Sequence, residues 1–169
     1  YNDTENTEIN KRSIVGSVSV YERQASKTSM EMALRRIGQQ MNKESDVLFL
    51  YMTSHGLPNV FEMENAPLDL AQVDPKWLRE TLDAAGIRWR VIVISSCYSG
   101  SFVPALQDEN TLIITASAAD RQSFGCSSEA DYTYFGRAFF DQAMREQTSI
   151  QSAFVEAKET VAQWENAQG

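Results

Sequence analysis

The chain of 169 residues is short of several things, and each shortage excludes something. It has one histidine and two cysteines. That is too few for a disulfide framework, and too few for a structural zinc site, which takes four N or S ligands. A single bridge between Cys97 and Cys126 stays compatible with the sequence, so the redox compartment is left open. Lys and Arg number 15 against 23 Asp and Glu, a formal net charge of −8. A surface of that sign repels phosphate backbones and anionic membranes, which excludes non-specific nucleic-acid binding. The strongest apolar runs, Val47–Met52 and Val91–Ile94, fall far short of the roughly 20 residues a membrane helix needs. No secretory signal pattern is visible. Glycines (8) and prolines (4) are sparse and scattered, and there is no repeat or low-complexity stretch, which favours one compact unit. An initiator Met is also missing, and the expectation is a processed chain or a fragment.

What is present is the composition of a soluble globular protein, 43% apolar and 22% charged, long enough for one domain with a sizeable core. Ile14–Tyr21 alternates weakly, as an edge strand or extended loop does. Thr28 with Glu31 reads as a capping box, and Met30, Leu34, Ile37 and Met41 form one helical stripe behind it. Val47–Met52 is apolar on both faces, the pattern of a buried parallel strand. Val60–Leu70 reads as a small hairpin. Asp74-Pro75 opens a helix that Gly86 ends. Arg90–Ser95 is a second buried strand, Ser101–Leu106 a short helix and Thr111–Ser117 a third strand. Thr133–Arg145 is helical. A capping box at Thr148 and Gln151 precedes a last helix with Ile150, Phe154, Ala157, Val161 and Trp164 on one face, a stripe better suited to core than to a partner. Strands alternating with short crossovers imply a mostly parallel α/β sheet with helices on both faces.

In such sheets ligands sit beyond the C-terminal ends of the strands. The first strand is followed there by Thr53-Ser54-His55-Gly56, the second by Ser96-Cys97-Tyr98-Ser99-Gly100. Neighbouring parallel strands lie about 5 Å apart, so these tips bring an imidazole and a thiol around one substrate. A thiol is a weak nucleophile until ionised; an adjacent imidazole promotes ionisation and later protonates the leaving amine. A glycine after the histidine allows a backbone N–H close to a substrate oxygen, and the N–H groups of Gly56 and Cys97 are the natural oxyanion donors. Each residue also has a plainer reading: His55 as a surface residue, Cys97 as an inert buried thiol. Cys126 is read as loop packing. Glu62, Glu64 and Asp69 read as a solvated acidic face. Glu129 and Asp131 lack the spacing of a calcium loop, and no other metal or nucleotide motif is present.

These motifs resemble the clan CD cysteine peptidases. His-Gly, Ser-Cys-Tyr-Ser-Gly, Thr-Ala-Ser and Thr-Tyr-Phe-Gly follow in order, each at its own strand end or helix start. The closest resemblance is to legumain-like C13 peptidases, in particular their bacterial members, and it runs from about Asp46 to Glu146. It implies a caspase-like three-layer α/β/α fold with a mostly parallel sheet, a His55–Cys97 dyad, an oxyanion hole from the Gly56 and Cys97 N–H groups, and a peptide or protein substrate. Neither metal nor organic cofactor is implied. Substrate lies extended beside the stretch after Thr115, with Ser95, Ser117, Asp120 and Arg137 as its expected contacts. Legumains that cut after Asn carry carboxylates at the places of Ser95 and Arg137. An inward-pointing Arg137 would favour an acidic P1 residue; on the plainer reading it is a solvated helix residue. The family pattern adds a strand and helix before Tyr1 and a strand after Gly169, so 1–169 is expected to be one peptidase domain lacking those pieces. The rival readings are a transpeptidase on the same dyad and a non-catalytic caspase-like module.

Overall fold

The computed structural model describes residues 26–63, 71–124 and 133–168. Helix α1 (Lys27–Gln40) leads into strand β1 (Val47–Thr53), a two-stranded hairpin of β2 (Gly56–Leu57) and β3 (Val60–Phe61), helix α2 (Pro75–Ala84) and strand β4 (Trp89–Ser95). A 3-10 turn, Ser99–Phe102, runs into α3 (Val103–Leu106) and strand β5 (Thr111–Thr115). Then α4 (Tyr134–Gly136) continues through a π-helical stretch, Arg137–Ala143, into α5 (Met144–Glu146), and α6 (Ile150–Gln168) follows. No described helix is long and apolar enough to cross a membrane.

The main described sheet is parallel, in the order β1-β4-β5. β4 is central, so its side chains are buried on both faces. Ile92 and Ile94 join Leu34, Leu48, Leu78, Leu82 and Phe102 in one core. Val93 joins Ile114, Phe135, Phe139 and Ala153 in the other. Two cores sharing one strand make this the three-layer α/β/α arrangement with a mostly parallel sheet that the motifs imply.

β1 departs from its expected burial. Leu48 and Met52 are buried, but Val47, Phe49 and Tyr51 are exposed. The strand is at the edge of the described sheet. Among described aromatic residues only Phe140 meets that face, edge-on to Tyr51 at 4.7 Å and to Phe49 at 6.4 Å.

The caps show where local signals compete. Asp74 caps α2 as expected, accepting from Trp77 N–H at 2.8 Å. Gly86, at φ 69°, ends the helix in the left-handed conformation that glycine tolerates best. The expected box at Thr28 is instead Ser26 with Ser29, each side chain accepting the other's backbone N–H. Glu31 is left to pair with Arg35 at 2.8 Å. The expected box at Thr148 is likewise taken by its neighbour: Ser149 Oγ accepts from Ser152 N–H at 3.1 Å. The expected hairpin also begins earlier, pairing Gly56 with Phe61 and Leu57 with Val60; residues 64–70 lie outside the described residues, as does the weak strand at Ile14–Tyr21.

Candidate active site

The register of β1 on β4 decides what meets at the sheet's C-terminal end. The last paired residues are Thr53 and Ser95, and Ser54 N–H extends the pairing by donating to Ser95 O at 3.3 Å. Two steps beyond that pair stand His55 on one tip and Cys97 on the other. The chain then turns so that Gly56 lies directly on the Cys97 loop. A Cβ at Gly56 would be 2.6 Å from Cys97 O and 2.9 Å from Ser96 Oγ. Only a residue without Cβ permits this approach, which presses the His55-Gly56 backbone against Ser96-Cys97.

The backbone of His55 is clamped while its side chain is exposed. His55 O accepts from Glu62 N–H at 3.0 Å, and Ser54 Oγ donates to Glu62 O at 2.8 Å. Glu62 therefore contributes to the site through its main chain. The imidazole forms no hydrogen bond to the described residues.

The Cys97 loop is a tight turn held from the β5 side. Tyr98 sits at φ 56°, ψ 19°, a left-handed conformation that costs an ordinary residue roughly 1–2 kcal/mol. Neighbouring bonds hold it there: Tyr98 N–H donates to Arg121 O at 2.8 Å, and Gly100 N–H to Ser117 O at 3.0 Å. Ser117 N–H donates to Ser99 Oγ at 3.1 Å, and Ser117 Oγ–H donates to Ser96 O at 3.0 Å. The thiol is half-buried. Ser123 N–H points at Cys97 Sγ from 3.3 Å, and Sγ lies 3.7 Å from Ser123 O. The sulfur thus has a donor for its thiolate form and an acceptor for its thiol form. No hydrogen bond from the described residues occupies Cys97 N–H, so this donor is available to an oxyanion.

The other expected residues divide. Ser117's hydroxyl, N–H and carbonyl are all turned to the Cys97 loop, so it braces that loop from the end of β5. Ser95 is buried, its hydroxyl 3.2 Å from that of Thr133, and Thr133 in turn caps α4 by accepting from Gly136 N–H at 3.0 Å. Asp120 is exposed in the loop after β5. Arg137 is exposed as well, and its guanidinium lies 5.5 Å from the Trp164 ring centroid. Cys126, Glu64, Asp69, Glu129 and Asp131 lie outside the described residues. Among the described residues no three His, Cys, Asp or Glu side chains are grouped to hold a metal ion. A cleft of about 300 Å³ opens between the end of β5 and α6, lined in part by Thr115, Ala118, Phe154 and Val161. Neither His55 nor Cys97 lines it, but Ser117 and Arg121, which brace the Cys97 turn, do.

The structure brings the His55 and Cys97 tips onto neighbouring parallel strands. A model of the peptidase C13 family matches residues 20–169. The chain belongs to this family. It is 35% identical over 82 residues, 47% of its length, to a protein named legumain from Canavalia ensiformis. It is 34% identical over 86 residues, 50% of its length, to a vacuolar-processing enzyme from Ricinus communis. Each match spans 17% of the relative's own length. The C13 assignment and the parallel α/β sheet thus agree on a caspase-like fold.

Two groups of residues at the site were not legible as such in the sequence. Ser123 reaches Cys97 across 26 positions, and Ser54, Ser99 and Ser101 work through single hydroxyls. Their only signal is the density of small hydroxyl residues around the three strand ends.

Proposed function

We propose that the chain carries the catalytic centre of a cysteine endopeptidase, with Cys97 as nucleophile and His55 as proton shuttle. The reading is supported above all by the Gly56 contact, which sets the histidine tip on the cysteine turn. His55 takes the thiol proton, and the thiolate attacks the scissile carbonyl carbon. The C–S bond forms, and the carbonyl electron pair moves to an oxyanion facing the Cys97 and Gly56 N–H groups. Collapse of this intermediate breaks the C–N bond, and the imidazolium gives its proton to the departing amine. A water deprotonated by His55 then attacks the thioester, releasing the acid and restoring the thiol. Substrate runs extended past the end of β5. Asp120 is one of the exposed side chains on that path, and Ser95 is buried two residues before Cys97. Residues 1–169 are read as one caspase-like domain, two cores built on one sheet.

The test is alkylation with iodoacetamide, peptide mapping and a positional peptide scan, with Cys97→Ala as control. Modification at Cys97 rather than Cys126 accompanies loss of cleavage, and Cys97→Ala lowers kcat by about 10⁴-fold or more. Undiminished cleavage by Cys97→Ala refutes the reading. An added amine separates hydrolysis from transpeptidation by how the same thioester partitions: a hydrolase yields mainly the acid, a transpeptidase mainly the aminolysis product. The scan also decides P1. An acidic preference requires Arg137 to leave Trp164, and cleavage after Asn or basic residues only would exclude it.

A further inference from the structure

We propose that Ser101 is a positioning residue that couples the two halves of the dyad through its hydroxyl. The inference rests on the dyad reading above and adds to it the element that sets the angle between its two supports.

The hairpin that follows His55 is small. Its two strands have two residues each, and a hairpin of that size has little stability of its own. β3 is anchored, since Phe61 is buried and pairs with Val73 through backbone bonds of 2.8 and 3.1 Å. β2 is anchored at its root by the contact of Gly56 with Cys97. The outer part is not packed, with Leu57, Pro58 and Asn59 all exposed. The His55 backbone is clamped by Glu62 at that root, so what these contacts leave loose is the outer part, whose swing would bear on the Gly56-Leu57 backbone beside His55.

Ser101 holds the tip. Pro58 followed by Asn59 at φ 60° fits the two central positions of a type II turn. The N–H of the second central residue takes no part in the bond that closes such a turn, so it needs an outside acceptor. Asn59 N–H donates to Ser101 Oγ at 2.8 Å, across 42 residues of sequence. Ser101 Oγ–H donates in turn to Tyr98 O at 2.6 Å, and Ser101 N–H reaches the same oxygen at 2.9 Å. A serine hydroxyl has one proton to give and lone pairs to accept with. Here both functions are used in line, from the tip of the histidine hairpin to the residue that follows the nucleophile. Tyr98 is the left-handed residue of the Cys97 turn, so the same hydroxyl braces that conformation.

The consequence is kinetic. Proton transfer between His55 and Cys97 needs heavy atoms within about 2.6–3.2 Å, and a misplacement of about 1 Å costs on the order of 100-fold. Ser101→Ala leaves the fold and both dyad residues in place and removes the brace. Amide hydrogen exchange at Asn59 is expected to speed up by about 10-fold or more. On a peptide cleaved by the wild type, kcat is expected to fall by about 10- to 50-fold with KM changed less than about 2-fold. Ser101→Thr keeps the hydroxyl and is expected to restore both. Fast exchange at Asn59 with wild-type kcat in Ser101→Ala overturns the proposal, and so does a Ser101→Thr variant as slow as Ser101→Ala. Unchanged exchange at Asn59 in Ser101→Ala overturns it too. Failure of the dyad reading itself is seen separately, as cleavage that survives in Cys97→Ala whatever stands at position 101.

Discussion

Gly56→Ala tests the contact on which the site is built. The new Cβ would stand 2.6 Å from Cys97 O, 2.9 Å from Ser96 Oγ and 3.1 Å from Ser96 Cβ. Ordinary contact begins near 3.4 Å, so the backbone oxygen is about 0.8 Å too close. The Ser96 hydroxyl has no hydrogen-bond partner among the described residues and can rotate away at little cost. The carbonyl of Cys97 cannot, since the turn around it is bonded to Arg121 and Ser117. The main chain at one tip must therefore move by several tenths of an ångström. Overpacking of this kind costs about 1–3 kcal/mol, and the reduced freedom of the unfolded chain returns about 0.4–1 kcal/mol. A net loss of about 1–2 kcal/mol corresponds to a Tm lower by about 2–8 °C for a chain of this length. The effect on turnover is larger, because a shift approaching 1 Å between reacting groups costs on the order of 100-fold. A 10- to 100-fold fall in kcat/KM is expected, read on folded protein well below Tm. Gly38→Ala is the control. Its Cβ would meet Ala85 O at 2.1 Å between α1 and α2, so it should lower Tm more than Gly56→Ala while kcat/KM per folded molecule stays within about 2-fold. If Gly56→Ala keeps wild-type kcat/KM, or if activity falls in both variants in proportion to stability, the argument for the contact is wrong.

Three further outcomes follow from hydroxyls and charges. Ser96→Ala removes a buried oxygen that has no partner among the described residues, and should raise stability by about 1 kcal/mol in thermal or denaturant unfolding. Ser99→Ala should do the opposite. Ser99 is fully buried, and its Oγ accepts the Ser117 N–H, so its loss strands that N–H and costs about 1–3 kcal/mol. Asp83 concerns acid stability. Burial pushes its carboxyl upward, but bonds to Arg79 and Arg90 outweigh that and hold it below the ordinary value. A lowered folded value means stability present above about pH 4 and lost as pH falls through the folded value. Tm measured against pH should drop below pH 4 in the wild type, and Asp83→Asn should be less stable at pH 7 and flatter in acid. Parallel curves would remove Asp83 from the account.

The elements most legible in the sequence were those carried by adjacent residues. Asp74-Pro75 and Gly86 bound α2 because a side-chain cap, a preset φ and a left-handed stop all act within a few residues. β4 was legible because apolar residues on both faces announce a buried strand. The caps at Ser26 and Ser149 were not, because each competes with a threonine one or two positions away and the winner depends on the approach of the preceding chain. The exposure of Phe49 and Tyr51 was hidden for another reason: the same apolar run serves a central or an edge strand, and only the neighbours distinguish them. His55 and Cys97 stood out by their places at strand ends. The residues that set their geometry did not, since Ser101 reaches Asn59 across 42 positions and Ser123 reaches Cys97 across 26.

By itself, then, the sequence determined the alternation of strands and helices, the parallel sheet and that His55 and Cys97 stand at the C-terminal ends of its strands. These are consequences of periodicity and of short-range backbone preference. The tertiary structure alone decided how those side chains are supported. It aligned Thr53 with Ser95, laid Gly56 on Cys97, drew Arg137 onto Trp164 and ran one serine hydroxyl from the histidine hairpin to the cysteine turn. Such contacts depend on the register between segments far apart in the chain, and no local pattern encodes a register until the strands are paired.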